Sequence, residues 1–406
     1  MIALGETKIG KIYLGENEIK RVYKGTNLVF DSKPYDAQIE YLKGDGNAYI
    51  TLPFVGYSDQ TTFELEFINT LPTESTSLIG SRKGTNERFC WSLNPNGTSV
   101  QIGYGNYYEN VNNTITNGDR VVIETNISEQ KITYTITNKT TNTVATSTNI
   151  SINSFNVLDY IYLFWSGALG KSSSSIIRCK IKNGETLVRD LIPVRVGNEG
   201  YMYDKVSGKL FGNSGEGEFI LGEDIVEIEY LESTGTQYID TLVNTDSNLS
   251  LEIKMANVNT NWNNAAVTGT RLNTSRMYHI NFASEGVRLY YYSSSRTFNY
   301  KPSNNVPFVV KVDTQNNIAY CDNNSTTITN TSFNLQTNFW LFQRNPTISS
   351  GVKIKIYYCK FWDGNTLVGD FIPVRIGNVG YMYDKVSGQL FRNNDGDNFI
   401  LGNDVN

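Results

Sequence analysis

Apolar and polar residues alternate along much of this chain. Thr62-Phe63-Glu64-Leu65-Glu66-Phe67, Lys131-Ile132-Thr133-Tyr134-Thr135-Ile136, Leu249-Ser250-Leu251-Glu252-Ile253 and Phe308-Val309-Val310-Lys311-Val312 each turn every second side chain to one face, the period of a half-buried strand. Val121-Val122-Ile123 reads as a further strand. The intervening segments are rich in Asn, Ser, Thr and Gly, and no amphipathic helix of three turns is legible. Short strands with turns roughly every eight to twelve residues predict an all-β chain of sandwich type.

One stretch occurs twice. DLIPVRVGNEGYMYDKVSGKLFGN (Asp190 to Asn213) returns 180 residues later as DFIPVRIGNVGYMYDKVSGQLFRN (Asp370 to Asn393), identical at 19 of 24 positions. Such self-similarity marks two copies of one domain. The copies open at Ile39-Glu40-Tyr41-Leu42 and Ile228-Glu229-Tyr230-Leu231, so the expected division is a sandwich over 39–222 and a second over 228–402, with linkers at 33–38 and 223–227. Inside the repeated stretch, Asp204 is placed to hydrogen-bond a turn backbone and Gly208 to take positive φ. Asp204, Lys205 and Ser207, with Asp384, Lys385 and Ser387, are therefore assigned to a structural turn and not to catalysis.

Residues 1–32 carry a smaller repeat. Leu4-Gly5, Leu14-Gly15 and Lys24-Gly25 recur at ten-residue intervals between short apolar runs, which predicts a meander of three short strands with open edges. Such a piece gains most by pairing with other chains, as a virion anchor or an oligomerisation segment would.

Composition narrows the chemistry. A formal net charge of −5 without a basic stripe argues against nucleic acid. No transmembrane span or signal-peptide core is seen, so synthesis in a host cytoplasm without membrane insertion is expected. Four scattered cysteines give no disulfide framework, and Cys179 and Cys359 fall at matching positions within strands. A single histidine, His279, excludes a histidine-rich metal centre.

Two segments carry a resemblance. The opening EYLESTGTQYIDT (Glu229 to Thr241), together with the closing IPVR…GYMYDKVSG.LF, resembles the concanavalin A-like (laminin G-like) jelly-roll domains of virion proteins from phages of gut bacteria, over roughly residues 39 to 402. KIYLGENEIKRVYKGTNLVF (Lys11 to Phe30) is similar to the N-terminal segments of phage structural proteins, including those of crAss-like phages. The resemblance implies a phage virion protein with two tandem jelly rolls.

Glucanases share this jelly roll, with carboxylates on alternate residues of one strand. Glu227, Glu229 and Glu232 match superficially, but the first copy has Gln38, Glu40 and Lys43 there, and Glu64 and Glu66 correspond to a region with a lone Glu252. No catalytic pair is retained in both copies, and the chain is expected not to be an enzyme. No cofactor is expected either. Asp322-Asn323-Asn324 and Asp395-Gly396-Asp397 offer oxygens of the kind calcium uses, but exposed turns use the same residues.

Aligning the copies separates core from surface. Phe89, Trp91 and Leu93 match Tyr278, Ile280 and Phe282, and Val100, Ile102 and Tyr104 match Val287, Leu289 and Tyr291, all as core. The opposite face then carries His279, Asn281, Arg288, Tyr290 and Tyr292 in the second copy, against Gln101 and Gly103 in the first. These five residues are the expected ligand-binding set, for host-surface glycans. The expected protein is a short capsid (head) fibre or decoration protein, joined to other virion proteins through residues 1–32 and forming a dimer or trimer. A tail-associated receptor-binding protein and a bacterial cell-surface lectin or glycosidase are the alternatives.

Overall fold

In the computed structural model, the repeated stretch forms three consecutive antiparallel strands in each half of the chain, joined by two tight turns. The structure describes residues 33–405 apart from 54–59, 83, 85–86, 96–98, 106, 113–114, 129–130, 148–149, 152–159, 259–264, 330, 346–351 and 396, and it describes strand backbone within 3–31. Every regular element among the described residues is a β-strand. Two compact units divide the chain, Met1–Asp224 and Ile225–Asn406.

Each unit is a sandwich of two sheets. In the first unit the larger sheet runs Thr143–Thr146, Lys131–Asn138, Arg120–Ser128, Thr61–Ile68, Ser175–Asn183, Thr186–Val196, Glu199–Asp204 and Lys209–Phe211. The smaller sheet runs Tyr107–Asn112, Ser99–Tyr104, Arg88–Leu93, Thr76–Arg82, Tyr160–Leu163 and Ile50–Pro53. The second unit repeats this plan, with Leu249–Asn257, Ile354–Asp363 and Thr366–Ile376 central to its larger sheet and Ala265–Asn273, Arg276–Ala283 and Gly286–Tyr291 central to its smaller one.

Alternation explains why the sheets stack. Phe63, Leu65 and Phe67 point from the larger sheet of unit 1 into the same core as Phe89, Trp91 and Leu93 from the smaller. The rings of Phe63 and Trp91 meet edge to face at 5.4 Å. Unit 2 packs Leu251, Ile253 and Met255 with Tyr278, Ile280 and Phe282, and Phe339 meets Phe361 at 5.1 Å. Trp91 is 1% exposed, a packing residue as alternation predicts. Cys179 and Cys359 are likewise fully buried, opposite Leu65 and Ile253 in register, so they fill one core position in both copies.

The closing hairpin is built on a buried carboxylate. Asp204, with no exposed surface, accepts the backbone N–H groups of Asp190 (3.0 Å), Val206 (3.1 Å) and Ser207 (3.3 Å) and the Ser207 hydroxyl (2.6 Å). Asp384 takes the N–H groups of Asp370, Val386 and Ser387 at 2.8, 3.1 and 3.0 Å. Gly208 and Gly388 sit at φ 71° and 73°, each donating its N–H to the carbonyl of that aspartate at 2.7 Å. A forked arginine then ties the ends of each unit together. Arg195 grips Asp224 at 2.7 and 2.6 Å, and Arg375 grips Asp404 at 2.7 Å twice. Asp224 bridges Ile39, and Asp404 bridges Ile228.

Two expectations change here. Both supposed linkers contribute strands. Ala37–Gln38 pairs with Arg195 and Val194, and Ile225–Glu227 pairs with Ile376, Arg375 and Val374. These short strands satisfy backbone groups on the repeated strand, so they belong to the sandwiches. Among the described residues of the N-terminal segment the strands pair two by two, as three hairpins where a single meander is expected: Ala3–Leu4 with Thr7–Lys8, Ile12–Leu14 with Asn17–Ile19, and Arg21–Lys24 with Asn27–Asp31. Each ten-residue period is a hairpin, because pairs such as Leu4 with Thr7 and Leu14 with Asn17 leave two residues between strands.

Removing the buried carboxylate leaves several donors unpaired, so Asp204→Ala is expected to cost about 3 kcal/mol in urea unfolding. Gly208→Val should cost more than about 1 kcal/mol, because a β-branched residue resists positive φ. Lys205 ion-pairs with Asp190 at 3.1 Å with its side chain 34% exposed, so Lys205→Ala should cost less than about 1 kcal/mol. Equal losses for all three would contradict the carboxylate as organiser of the turn.

Candidate functional site

The outward face of the smaller sheet in unit 2 holds most of the expected binding residues. Register places Arg344, Gly269, His279, Tyr290 and Ser295 in one row across four strand pairs. The neighbouring row holds Asn281, Arg288 and Thr297. His279 and Tyr290 stack, with ring centres 4.5 Å apart and planes at 13°. Gly269, at φ 116°, permits this, since a Cβ there would lie 2.5 Å from the Cβ of His279.

The structure alters the role of four of the five expected residues. His279 and Asn281 do face away from the core, but they are only 1% and 3% exposed and form a floor, not a contact surface. Arg288 is occupied: its guanidinium donates to Thr297 Oγ1 (2.9 Å), to the Tyr290 hydroxyl (3.3 Å) and to Glu285 (2.9 Å). Tyr292 does not share the face of Tyr290. It follows the strand end at Tyr291 with φ 55°, which breaks the alternation, and it stacks on Phe333 at 5.3 Å beside the core. Tyr290 alone is a half-buried outward aromatic, as expected.

Burial and charge fix the protonation state of the floor. Desolvation pulls the His279 imidazole down to about 3, with Arg344 and Arg271 adding repulsion and the Thr270 carbonyl opposing them. The ring is neutral near pH 7. Burial, then the neighbouring Arg271, also lowers the proton affinity of Arg344. Sequence reasoning overlooked Arg271 and Arg344; the signal available was an arginine pair with no acidic residue adjacent in sequence.

A second feature recurs in both copies. Tyr49 and Tyr162 meet edge to face at 5.9 Å in unit 1, and Tyr238 and Trp340 stack at 4.1 Å in unit 2. Register makes these matching positions, since Ile50 pairs with Leu163 and Ile239 with Leu341. The backbone N–H of each first tyrosine is held alike, by Asn213 at 3.2 Å and Asn393 at 3.0 Å. Unit 1 enlarges the pair with Trp165, 4.7 Å from Tyr49 and 5.0 Å from Tyr162, and with the ammonium of Lys171 over the Tyr49 and Trp165 rings. Unit 1 is therefore not plain, contrary to the comparison of Gln101 and Gly103 with Arg288 and Tyr290. Its aromatics lie in or just beside the strands Ile50–Pro53 and Tyr160–Leu163, outside the aligned hairpins.

Among the carboxylates compared with glucanase motifs, Glu64, Glu66, Glu232 and Glu252 are held in ion pairs or hydrogen bonds. Glu64 pairs with Arg178, and its counterpart Glu252 accepts from the Tyr358 hydroxyl at 3.0 Å. Burial opposes ionisation of fully buried Glu66, but Arg120 at 2.7 Å and Lys139 at 3.3 Å outweigh it and hold the carboxyl below its ordinary range. Glu232 lies 3.6 Å from Lys355. A polar groove of about 540 Å³ lined by Gln60, Thr62, Glu124, Asn126, Thr133 and Lys182 lies on the larger sheet of unit 1. Among the described residues no three His, Cys, Asp or Glu side chains stand together as metal ligands. Asp322 spends one carboxylate oxygen on the Val309 N–H at 2.8 Å, and residue 396 of the other candidate group lies outside the described residues.

No family model matches the chain, and a search of curated proteins returns no match. Among solved structures it is similar to the LG1-3 region of the laminin alpha2 chain, at 13% identity and a TM-score of 0.31, over 94% of this chain and 70% of that one. It is also similar to domains LG4-5 of the mouse laminin alpha1 chain, at 11% identity and a TM-score of 0.29, over 93% and 97%. The two-sheet sandwich of each unit is established by its own strand pairing.

His279 yields a pH test. Its folded value lies below the unfolded value of 6.5, so the unfolded chain takes up a proton that the native chain refuses. Stability should be full above pH 6.5 and fall as the pH drops toward about 3, with a slope approaching about 1.4 kcal/mol per pH unit. Since the chain has one histidine, His279→Gln should flatten the slope between pH 6.5 and roughly pH 5, above the usual carboxylate range. Urea titrations at several pH values check this, and an unchanged slope in the variant contradicts a neutral buried ring.

Proposed function

We propose that this protein is a non-enzymatic structural component of a phage virion, a short capsid fibre or decoration protein whose two sandwiches hold glycans on host or environmental surfaces. The observation that carries the glycan part is the half-buried aromatic pair at one position in both copies, Tyr49 with Tyr162 and Tyr238 with Trp340. Rings held this way offer flat apolar surface with polar edges, which suits the faces of sugar rings. A weak site repeated along one chain, and again over many chains, gains through multivalency. The virion part rests on the resemblance of residues 11–30 and of the closing motif to phage structural proteins. The N-terminal hairpins support attachment, since each two-stranded piece leaves strand edges for pairing with virion proteins or with further copies in a dimer or trimer.

Two experiments test the proposal. Gold-labelled antibody on purified virions should decorate the capsid, and a chain lacking residues 1–32 should stay folded but fail to join the particle. Wild-type incorporation of the truncated chain refutes the anchor, and label confined to the tail favours the receptor-binding alternative. On a panel of host polysaccharides, the full chain should lose at least tenfold in apparent affinity when Tyr162 and Trp340 are both replaced by Ala. Undiminished binding by that variant refutes the aromatic pair as the glycan contact.

A further inference from the structure

The row beside Trp340 in unit 2 has polar atoms that the fold itself leaves unsatisfied. Arg344 Nε, Trp340 Nε1 and His279 Nδ1 are all buried without a hydrogen-bond partner. Buried polar groups are normally paired, so three such atoms in one neighbourhood need an explanation. The neighbourhood also gathers positive charge: Arg271 and Arg344 both act on the His279 ring, and Arg271 acts on Arg344. No carboxylate lies within salt-bridge distance of either arginine among the described residues, and every Asp and Glu of unit 2 is among them. The nearby acids are engaged elsewhere. Glu285 binds Arg288, and Asp240 accepts from the Leu242 N–H at 3.0 Å and from Asn338 at 3.3 Å.

Arg271 stands two residues along the strand from Gly269, the register partner of Arg344, and its Nε donates to the Asn273 carbonyl at 3.3 Å. Two arginines placed so without an acid are stabilised by an anion, and their planar forks suit a carboxylate. Trp340 of the stacked Tyr238–Trp340 platform stands on the adjoining strand, next to Leu341, the register partner of Thr268. We infer that the smaller sheet of unit 2 binds an acidic sugar of the uronic acid class, its ring on the Tyr238–Trp340 pair and its carboxylate between Arg344 and Arg271. This rests on the glycan-display reading and narrows it to one unit and one ligand chemistry. Unit 1 has Cys90 where unit 2 has His279, its paired arginines are Arg82 and Arg88 on neighbouring strands, and Lys171 lies over its aromatic platform, so its cations are arranged differently.

The test titrates the full chain with a glucuronate-terminated disaccharide, its glucose-terminated congener and inorganic sulfate, by calorimetry at two salt concentrations. The expected result is glucuronate binding at least tenfold tighter than glucose binding, weakened by salt and reduced at least tenfold in Arg344→Gln and in Arg271→Gln. Arg344→Lys, which keeps the charge but loses the fork, should fall between, and thermal unfolding checks that each variant is folded. Equal affinity for the two disaccharides, undiminished glucuronate binding in both Gln variants, or binding of sulfate alone overturns the acidic-sugar assignment and leaves glycan display standing. Failure to bind any sugar, neutral or acidic, here and on the polysaccharide panel removes both readings.

Discussion

Both sandwiches depend on a buried carboxylate that replaces a missing strand ladder. The closing hairpin must turn inside four residues, Lys205 to Gly208, and a turn this tight closes through the Gly208 N–H on the Asp204 carbonyl while leaving the Val206 and Ser207 N–H groups to a side chain. The Asp204 carboxylate pairs them and also accepts the N–H of Asp190 on the adjacent strand, which joins the turn to the sheet. The preceding strand extends to Arg195, whose fork on Asp224 draws the end of the unit against its first strand. Turn, strand and clasp thus form one device, and the second copy reproduces it at Asp384, Arg375 and Asp404. This accounts for near identity in that stretch while other strands have drifted.

Closure by the ends of the chain frees the smaller sheet from that duty. Its outward residues differ between units, with Cys90 and Gly103 in one and His279 and Tyr290 in the other, while its inward residues stay apolar in both. Duplication has kept one scaffold and one aromatic pair and varied the polar groups around them. Burial gives those groups consequence. A histidine that would titrate near neutrality in water is held neutral, and arginines beside it lack the acids that surface arginines usually find.

Much of the fold and less of the site was legible in the amino-acid sequence. Strand alternation, the duplication, the turn at Gly208 and the burial of Trp91 follow from residues within a few positions of one another, or from comparing two copies. Local chemistry determines them: side-chain direction alternates with each residue, and glycine alone takes positive φ without cost. Tertiary structure decided the rest. Tyr238 meets Trp340 and Arg344 lines up with His279 only because strands far apart in sequence pair in a particular register. Tyr292 left the face on which strict alternation places it because one backbone angle changed sign. Whether an outward side chain is a contact surface or a floor was settled by what the sheet packs around it, as with His279, and no local pattern of residues encodes that burial.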